Sequence, residues 1–153
     1  MTIESTKDFK LLASLNEEVQ DWHHKHYPEV FKQFDQTAIE DAFKVLIKKE
    51  NTFAFVAEEN AHAVGYLLAF IEHRTESAFQ YERKILNIDQ ILVLEQLRKS
   101  GIGQALMDRA ILLAKEKGVD EIQLEPWEEN QLALEFFAKN GFEYFKHKMT
   151  KSV

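Results

Sequence analysis

The apolar positions in the first third of the chain recur every three or four residues, the period of one face of an α-helix. One helix is therefore predicted before Pro28 and a second helix after it. Ser5 or Thr6 is a suitable cap for the first, and Thr37 followed by Glu40 three residues later forms a capping signal for the second. The apolar positions of the two helices are Leu12, Leu15, Val19 and Trp22, then Ile39, Phe43, Leu46 and Ile47.

After Asn51 the pattern changes to that of β-strands. Two apolar runs, 52–58 and 63–71, flank a polar turn and predict a hairpin. The later predicted elements are a strand over 85–93, a helix from 101–103 to 117, a strand over 121–125, a helix over 131–138 and an extended stretch over 142–150. This order predicts an α/β fold with one mixed sheet and helices on both faces.

Length and composition restrict the class of protein. The 153 residues suit a single domain spanning 1–153, and the absence of cysteine excludes disulfides, thiolate metal sites and a cysteine nucleophile. The charged N-terminus and the lack of an apolar run of about 20 residues predict a cytoplasmic protein with no membrane partner. A net charge of -7 argues against a nucleic-acid partner; it suits a cationic acceptor, and it also suits a protein that uses the charge only for solubility.

The most informative segment is 88–106, in which an apolar strand leads through a basic turn into a helix. Gly101 and Gly103 allow a ligand to approach the main chain closely. The free N–H groups and the dipole of the following helix favour a phosphate at its N-terminus. Arg98 and Lys99 add positive charge. The segment therefore predicts an anion site.

Two nucleotide-binding motifs fit this segment poorly. A dinucleotide fingerprint needs a third glycine where Leu106 stands, and a P-loop needs a lysine where Gln104 stands. Residues 98–103 instead have the pattern Arg/Gln-x-x-Gly-x-Gly/Ala. This pattern resembles the pyrophosphate loop of the GNAT superfamily of acetyl-CoA-dependent N-acetyltransferases.

A second block strengthens the resemblance. Residues 130–142 are similar to the family's Asn-x-x-Ala-x-x-Phe-Tyr-x-x-x-Gly-Phe and begin 27 residues after Gly103. With the order of predicted elements, the resemblance covers nearly the whole chain. It implies a single mixed, mostly antiparallel sheet with helices on both faces and a splayed central strand pair.

The resemblance also implies acetyl-CoA, or coenzyme A, as co-substrate and no metal ion. It assigns the main chain of Leu92 and Val93 to the pantetheine arm and the thioester, with further contacts from Asn130 and Phe137. Asn130 is equally suited to be a helix cap, and Phe137 to be a core residue. The residues assigned to the pyrophosphate are Arg98, Lys99, Ser100, Gly101, Ile102, Gly103 and Gln104.

Acetyl transfer to an amine needs a proton acceptor, for which Asp89 is the candidate. It stands four residues before Val93, where related enzymes often carry an acidic residue; the alternative is a solvated strand end. Phe137 occupies the position of the tyrosine that protonates the leaving thiolate in many members. Tyr144, Tyr81 or water could replace that tyrosine, or the thiolate could leave without help.

The segment joining the first two helices commonly borders the acceptor pocket in this family. The resemblance therefore implies that His23, Tyr27, Phe31 and Phe34 contact the acceptor, with a place in the core as the alternative for the two phenylalanines. Trp127 either lines the same cleft or covers the sheet. His23 and His26 lie one helical turn apart, but two imidazoles without a third ligand do not predict a metal site.

The sequence as a whole predicts an N-acetyltransferase that moves an acetyl group to a primary amine of a small molecule, a protein N-terminus or a lysine. One alternative is a catalytically degraded CoA-binding module, motivated by Phe137. Another is a nucleotide-binding protein that uses the same turn. The resemblance also allows for a homodimer.

Overall fold

A computed structural model describes residues 1–153 and contains five strands and four α-helices. In chain order these are β1 (Thr2–Ser5), α1 (Phe9–His26), α2 (Gln36–Leu46), β2 (Thr52–Glu59), β3 (His62–Arg74), β4 (Arg83–Val93), α3 (Ile102–Glu116), β5 (Glu121–Gln123) and α4 (Gln131–Lys139). The strands form one sheet in the order β1-β2-β3-β4-β5. Only the β4–β5 pair is parallel, which confirms the predicted mixed, mostly antiparallel sheet.

The caps predicted for the first two helices, α1 and α2, were wrong. Ser5 belongs to β1, where it pairs with β2, and Thr6 accepts a hydrogen bond from the N–H of Asp8. The Asp8 carboxylate caps α1, and the Asp35 carboxylate caps α2, while Thr37 lies inside the second helix. Each helix thus begins at the nearest aspartate, whose carboxylate accepts from the first free N–H groups.

The last predicted strand is absent. Residues 142–153 have no regular secondary structure, and the main chain beyond Phe142 makes no hydrogen bond to another main-chain group. Tyr144, Phe145 and Met149 are mostly exposed. The segment buries no continuous apolar face, so nothing compensates the ordering of a further strand against β5.

The sheet buries an apolar core on each face. Beneath α1 and α2 the core is formed by Leu12, Ala13, Leu15, Phe43, Ile47, Ala54, Val56, Tyr66, Leu68 and Leu92. Beneath α3 and α4 it includes Phe55, Leu67, Leu86, Ile88, Ile102, Leu106, Met107, Leu113 and Phe137. No helix is long and apolar enough to span a membrane.

β4 changes its surroundings halfway along its length. Its pairing with β5 ends at Asn87 opposite Gln123, so the β5-facing edge of residues 88–93 has no strand partner. On the β3 side the register shifts at Asp89, which has no partner residue and forms a β-bulge. The pairing of β4 with β5 therefore ends as expected for a splayed strand pair, and the unpaired edge of residues 88–93 is called the gap below.

Candidate active site

The turn between β4 and α3 presents a row of main-chain donors. None of the N–H groups from Lys99 to Gln104 donates to an acceptor within the protein. The turn requires left-handed backbone at Lys99 (φ 65°) and Gly101 (φ 91°), and α3 begins without a side-chain cap. Free donors at a helix N-terminus form an anion site.

The missing side chain of Gly103 lets the start of α3 lie close to both β4 and α4. A Cβ atom at this position would lie 3.5 Å from the Phe136 ring and 3.7 Å from the Val93 side chain. Ile102, beside it, is buried and anchors the start of α3 in the core. The protein itself therefore tolerates an alanine at position 103, and only a molecule in the gap would be obstructed by one.

Arg98 is held against the end of β4. Its Nε donates to the Val93 carbonyl at 3.2 Å, and its Nη2 lies 3.7 Å from the Glu18 carboxylate. Glu18 also accepts a hydrogen bond from the Glu95 N–H at 2.9 Å. This carboxylate, which the sequence analysis did not select, connects α1 to the turn and partly neutralises Arg98. The exposed Lys99 remains without an ion-pair partner.

Other side chains of the turn hold it in place. The Ser100 hydroxyl donates to the Leu97 carbonyl at 2.5 Å. The Gln104 amide donates to Asp108 at 2.9 Å and to Asn140, at the end of α4, at 2.8 Å. These side chains already have partners within the protein, so a ligand at this turn would meet mainly main-chain N–H groups.

α4 presents a different aromatic ring from the one predicted. Phe137 is buried and packs edge-to-face against Phe136 and Phe142, so the core interpretation holds for it. Phe136, not Phe137, is the ring beside Gly103. The Asn130 side chain accepts from the Ala133 N–H at 3.2 Å and thus caps α4. Its amide nitrogen has no partner in the protein.

A buried polar network lies behind the bulge. The Tyr66 hydroxyl donates to the Gln90 side chain and accepts from the Asn16 amide at 2.8 Å. Burial raises the pKa of Tyr66 above its ordinary value, so it remains a donor. The Gln90 amide donates to the exposed Asp89 carboxylate at 3.2 Å. The network therefore connects Asp89 to the face of the sheet that α1 covers.

Asp89 lines a surface cleft of about 200 Å³ beside the end of α2 and residues of β2 and β3. This cleft opens on the face of the sheet that α1 and α2 cover. Val93 lies four positions after Asp89, a distance of roughly 13 Å along β4. The Leu92 side chain is buried in the core, and its main chain faces Tyr66 of β3, whereas the main chain of Val93 faces away from β3.

Four aromatic side chains form a cluster at the far end of α1. His23 stacks on Phe31 with ring centroids 4.4 Å apart, and Tyr27 packs on Trp127 at 4.4 Å. Phe31 also meets Trp127 edge-to-face at 5.2 Å. The Tyr27 hydroxyl accepts from the Glu129 N–H at 3.4 Å. The structure thus brings three of the predicted acceptor residues together and adds Trp127 to them.

Of the three histidines in α1, only His23 has no hydrogen-bond partner for either ring nitrogen. His24 and His26 each place Nδ1 2.8 Å from a main-chain carbonyl, that of Phe31 and Trp22 respectively. Burial lowers the pKa of His23 below its ordinary value of 6.5, and the neighbouring His26 lowers it further. His23 is therefore neutral at pH 7. No group of three metal-ligating side chains lies in the structure.

Tyr144 lies away from both the turn and the cluster. It is exposed and stacks on His147 with centroids 5.5 Å apart. The adjacent Phe145 lies 6.0 Å from the guanidinium of Arg83, which begins β4, whereas Val93 ends it. The structure does not bring Tyr144 to the gap.

These features define an α/β domain with an anion-binding turn beside a splayed strand pair. The model of the acetyltransferase (GNAT) family matches residues 16–142. The chain therefore belongs to this family.

Curated relatives match about two thirds of the chain. An uncharacterized N-acetyltransferase of Methanocaldococcus jannaschii is 34% identical over 101 residues, 66% of this chain and 43% of the relative. An N-alpha-acetyltransferase of Sulfurisphaera tokodaii is 32% identical over 103 residues, 65% of this chain and 62% of the relative. The matched region thus spans less than two thirds of either relative's length.

Solved structures share the fold over the whole chain. A mutant of the BH1408 protein from Bacillus halodurans has a TM-score of 0.93 and 23% identity, covering 100% of both chains. The aminoglycoside N-acetyltransferase AAC(6')-Iy in complex with CoA has a TM-score of 0.78 and 16% identity, covering 99% of this chain and 93% of that one. At these identities the likeness establishes the fold.

Proposed function

We propose that the chain binds acetyl-CoA in the gap beside the second half of β4 and transfers the acetyl group to a primary amine. The observation that carries this proposal is the row of free N–H groups from Lys99 to Gln104, at the start of α3, where Gly103 lies beside Val93 and Phe136. A pyrophosphate is the ligand such a row favours. A structural neighbour with the same fold contains CoA.

In this proposal the pantetheine arm follows the unpaired edge of residues 88–93 and passes between Val93 and Phe136. The main-chain N–H of Val93 is the candidate donor to the thioester oxygen, which becomes negatively charged during transfer. Lys99 contributes charge to the pyrophosphate. Asn130, with its free amide nitrogen, is a further candidate contact from α4.

The amine approaches from the face covered by α1 and α2, where Asp89 and the aromatic cluster lie. Its nitrogen attacks the thioester carbonyl, a C–N bond forms, and the C–S bond breaks. Because Asp89 is about 13 Å along the strand from Val93, more than a single water molecule can span, it would take the amine proton only through a chain of several waters. The proton finally reaches the CoA thiolate, whose modest basicity allows it to leave without a tyrosine.

The acceptor is a small-molecule or protein amine. The relative from Sulfurisphaera tokodaii is named for the N-alpha position, and the neighbour AAC(6')-Iy for aminoglycosides. Neither name fixes the acceptor here, because the fold supports many acceptors through its loops.

Calorimetric titration with acetyl-CoA tests the cofactor site. We expect the unaltered chain to bind and Gly103→Ala to lose most of the affinity while remaining folded, since its Cβ meets only ordinary contacts within the protein. Lys115→Ala, an exposed position in the last turn of the same helix, is the matched control and should bind normally. No binding by the unaltered chain would overturn the proposal.

Amine-dependent release of the CoA thiol tests catalysis separately. A catalytically degraded CoA-binding module would bind acetyl-CoA without releasing thiol above the rate seen without protein. Acetyl transfer requires release that depends on both the amine and the chain.

A further inference from the structure

The aromatic cluster lies where an acceptor would enter the gap. The Glu18 carboxylate contacts the Glu95 N–H, two residues beyond the end of β4. His23 lies only about 7.5 Å further along α1. On the other side, Tyr27 contacts the main chain of Glu129, immediately before α4 begins. The cluster therefore bridges the α1–α2 connection and the β5–α4 connection beside the splayed strands.

The four side chains of the cluster, His23, Tyr27, Phe31 and Trp127, share one kind of chemistry. All are half-buried, so their rings contact one another and still reach solvent. None carries a carboxylate, and the hydroxyl of Tyr27 already has a partner. Ring faces attract apolar groups and organic cations within about 6 Å of the centroid.

A polyhydroxylated amine suits such a surface poorly. Its hydroxyl groups would lose water without gaining hydrogen bonds, and each group left unpaired weakens binding. An amine on an apolar body has no such hydroxyl groups, so it does not lose hydrogen bonds to water in this way. The free nitrogens of the neutral His23 can meet one amine group at the edge of the rings.

We infer that the acceptor is a primary amine carried on an apolar, ring-bearing body, with Trp127 and Phe31 binding that body. This inference rests on the proposed acetyl transfer and names its substrate class. The same chemistry is found in a free arylalkylamine and in the N-terminal residue of a peptide that begins with phenylalanine. It excludes aminoglycosides as good acceptors, despite the fold shared with AAC(6')-Iy.

Thiol release is measured with acetyl-CoA and four acceptors: 2-phenylethylamine, kanamycin, and tetrapeptides that begin with phenylalanine or with serine. We expect kcat/KM for 2-phenylethylamine or for the phenylalanine peptide to exceed that of kanamycin and of the serine peptide by about 100-fold, equivalent to two tenfold steps of 1.4 kcal/mol. Turnover of the free amine identifies a small acceptor. Turnover of the peptide alone identifies a protein N-terminus.

Variants separate acceptor binding from mere packing of the loops. Trp127→Ala should raise KM for the preferred acceptor about tenfold, while kcat and the acetyl-CoA Kd stay within about twofold. Trp127→Phe should restore most of the lost affinity, because a ring face is retained. Phe79→Ala, which removes an exposed ring from the β3–β4 connection, is the control and should change nothing.

Two outcomes distinguish this inference from the proposal beneath it. If acetyl-CoA binds but kanamycin or the serine peptide is the better acceptor, or if Trp127→Ala leaves KM unchanged, the inference is wrong while acetyl transfer stands. If the unaltered chain does not bind acetyl-CoA, the proposed function itself fails.

Discussion

The turn from Lys99 to Gln104 and the aromatic cluster border the same gap but are built differently. The turn presents main-chain N–H groups, and its side chains are engaged within the protein. The cluster presents side-chain rings from two connections far apart in sequence. A main-chain site depends on local backbone geometry, whereas a side-chain site changes with single substitutions. The first suits a ligand shared by a family, and the second an acceptor that differs among members.

This difference predicts that the two sites can be impaired separately. Changes at the turn should act on acetyl-CoA binding, and changes on the α1–α2 face should act on turnover or on the acceptor. The end of β4 is common to both and should affect both.

The largest effect is expected from Asp89→Asn. If Asp89 accepts the amine proton, kcat should fall roughly 100-fold or more, with the acetyl-CoA Kd unchanged. The amide is the same size and preserves contact with Gln90, so the fold should be unaffected. Steady-state thiol release and calorimetry measure the two quantities, with Asp41→Asn on exposed α2 as control. An unaltered kcat would remove Asp89 from the mechanism.

Gly65→Ala should affect both sites through the strand that they share. A Cβ at Gly65 would lie 2.5 Å from the Leu92 carbonyl oxygen, so β3 and β4 must separate at Val93. Such overpacking costs about 1–3 kcal/mol. Denaturant unfolding should show this loss, together with weaker acetyl-CoA binding. Gly103→Ala, whose nearest contact is 3.5 Å, is the internal control and should not lower the free energy of unfolding.

The sequence predicted the sheet and the turn because both depend on short-range patterns. The apolar run of β4, the two glycines and the helix after them are contiguous, and their backbone consequences are local. The strands of the hairpin were likewise placed from two apolar runs and the polar turn between them. The sequence also indicated the role proposed for Gly103, which is to let a ligand approach the main chain closely.

The rest of the site depends on contacts that no local pattern contains. Glu18 reaches the Glu95 N–H across 77 residues, and Tyr27 reaches Glu129 across 102. The choice of Phe136 over Phe137 depends on the rotation of α4 against the core. In the same way, Asp8 rather than Thr6 caps α1 because residues 2–5 pair with β2. These are consequences of tertiary packing.

Arg98→Gln should weaken the binding of acetyl-CoA without affecting the amine acceptor. Arg98 immediately precedes the free N–H groups in the chain, but Glu18 partly neutralises its guanidinium and the Val93 carbonyl already accepts from it. We therefore expect the acetyl-CoA Kd to rise about tenfold, or 1.4 kcal/mol, the lower end for a charged hydrogen bond. KM for the amine should be unchanged. If calorimetry showed an equal Kd, Arg98 would serve only to brace the strand end.

The smallest effect is expected from His23, and it concerns stability alone. Burial in the cluster lowers its folded-state pKa below 6.5, so the unfolded chain binds the proton more readily. Above about pH 6.5 both states are neutral and His23 adds no pH dependence. As pH falls below that value, the free energy of unfolding should decrease until the folded state is protonated too.

His23→Phe keeps a ring against Phe31 and removes the titrating group. Its free energy of unfolding should fall less steeply between about pH 6.5 and 5, a window above the range where carboxylates titrate. His62→Phe, at an exposed position in the β2–β3 hairpin, is the matched control. Denaturant unfolding at several pH values measures the slopes. Equal slopes for the unaltered chain and His23→Phe would mean that water reaches the ring as freely as in the unfolded chain, and the cluster would then be too open to hold an apolar acceptor.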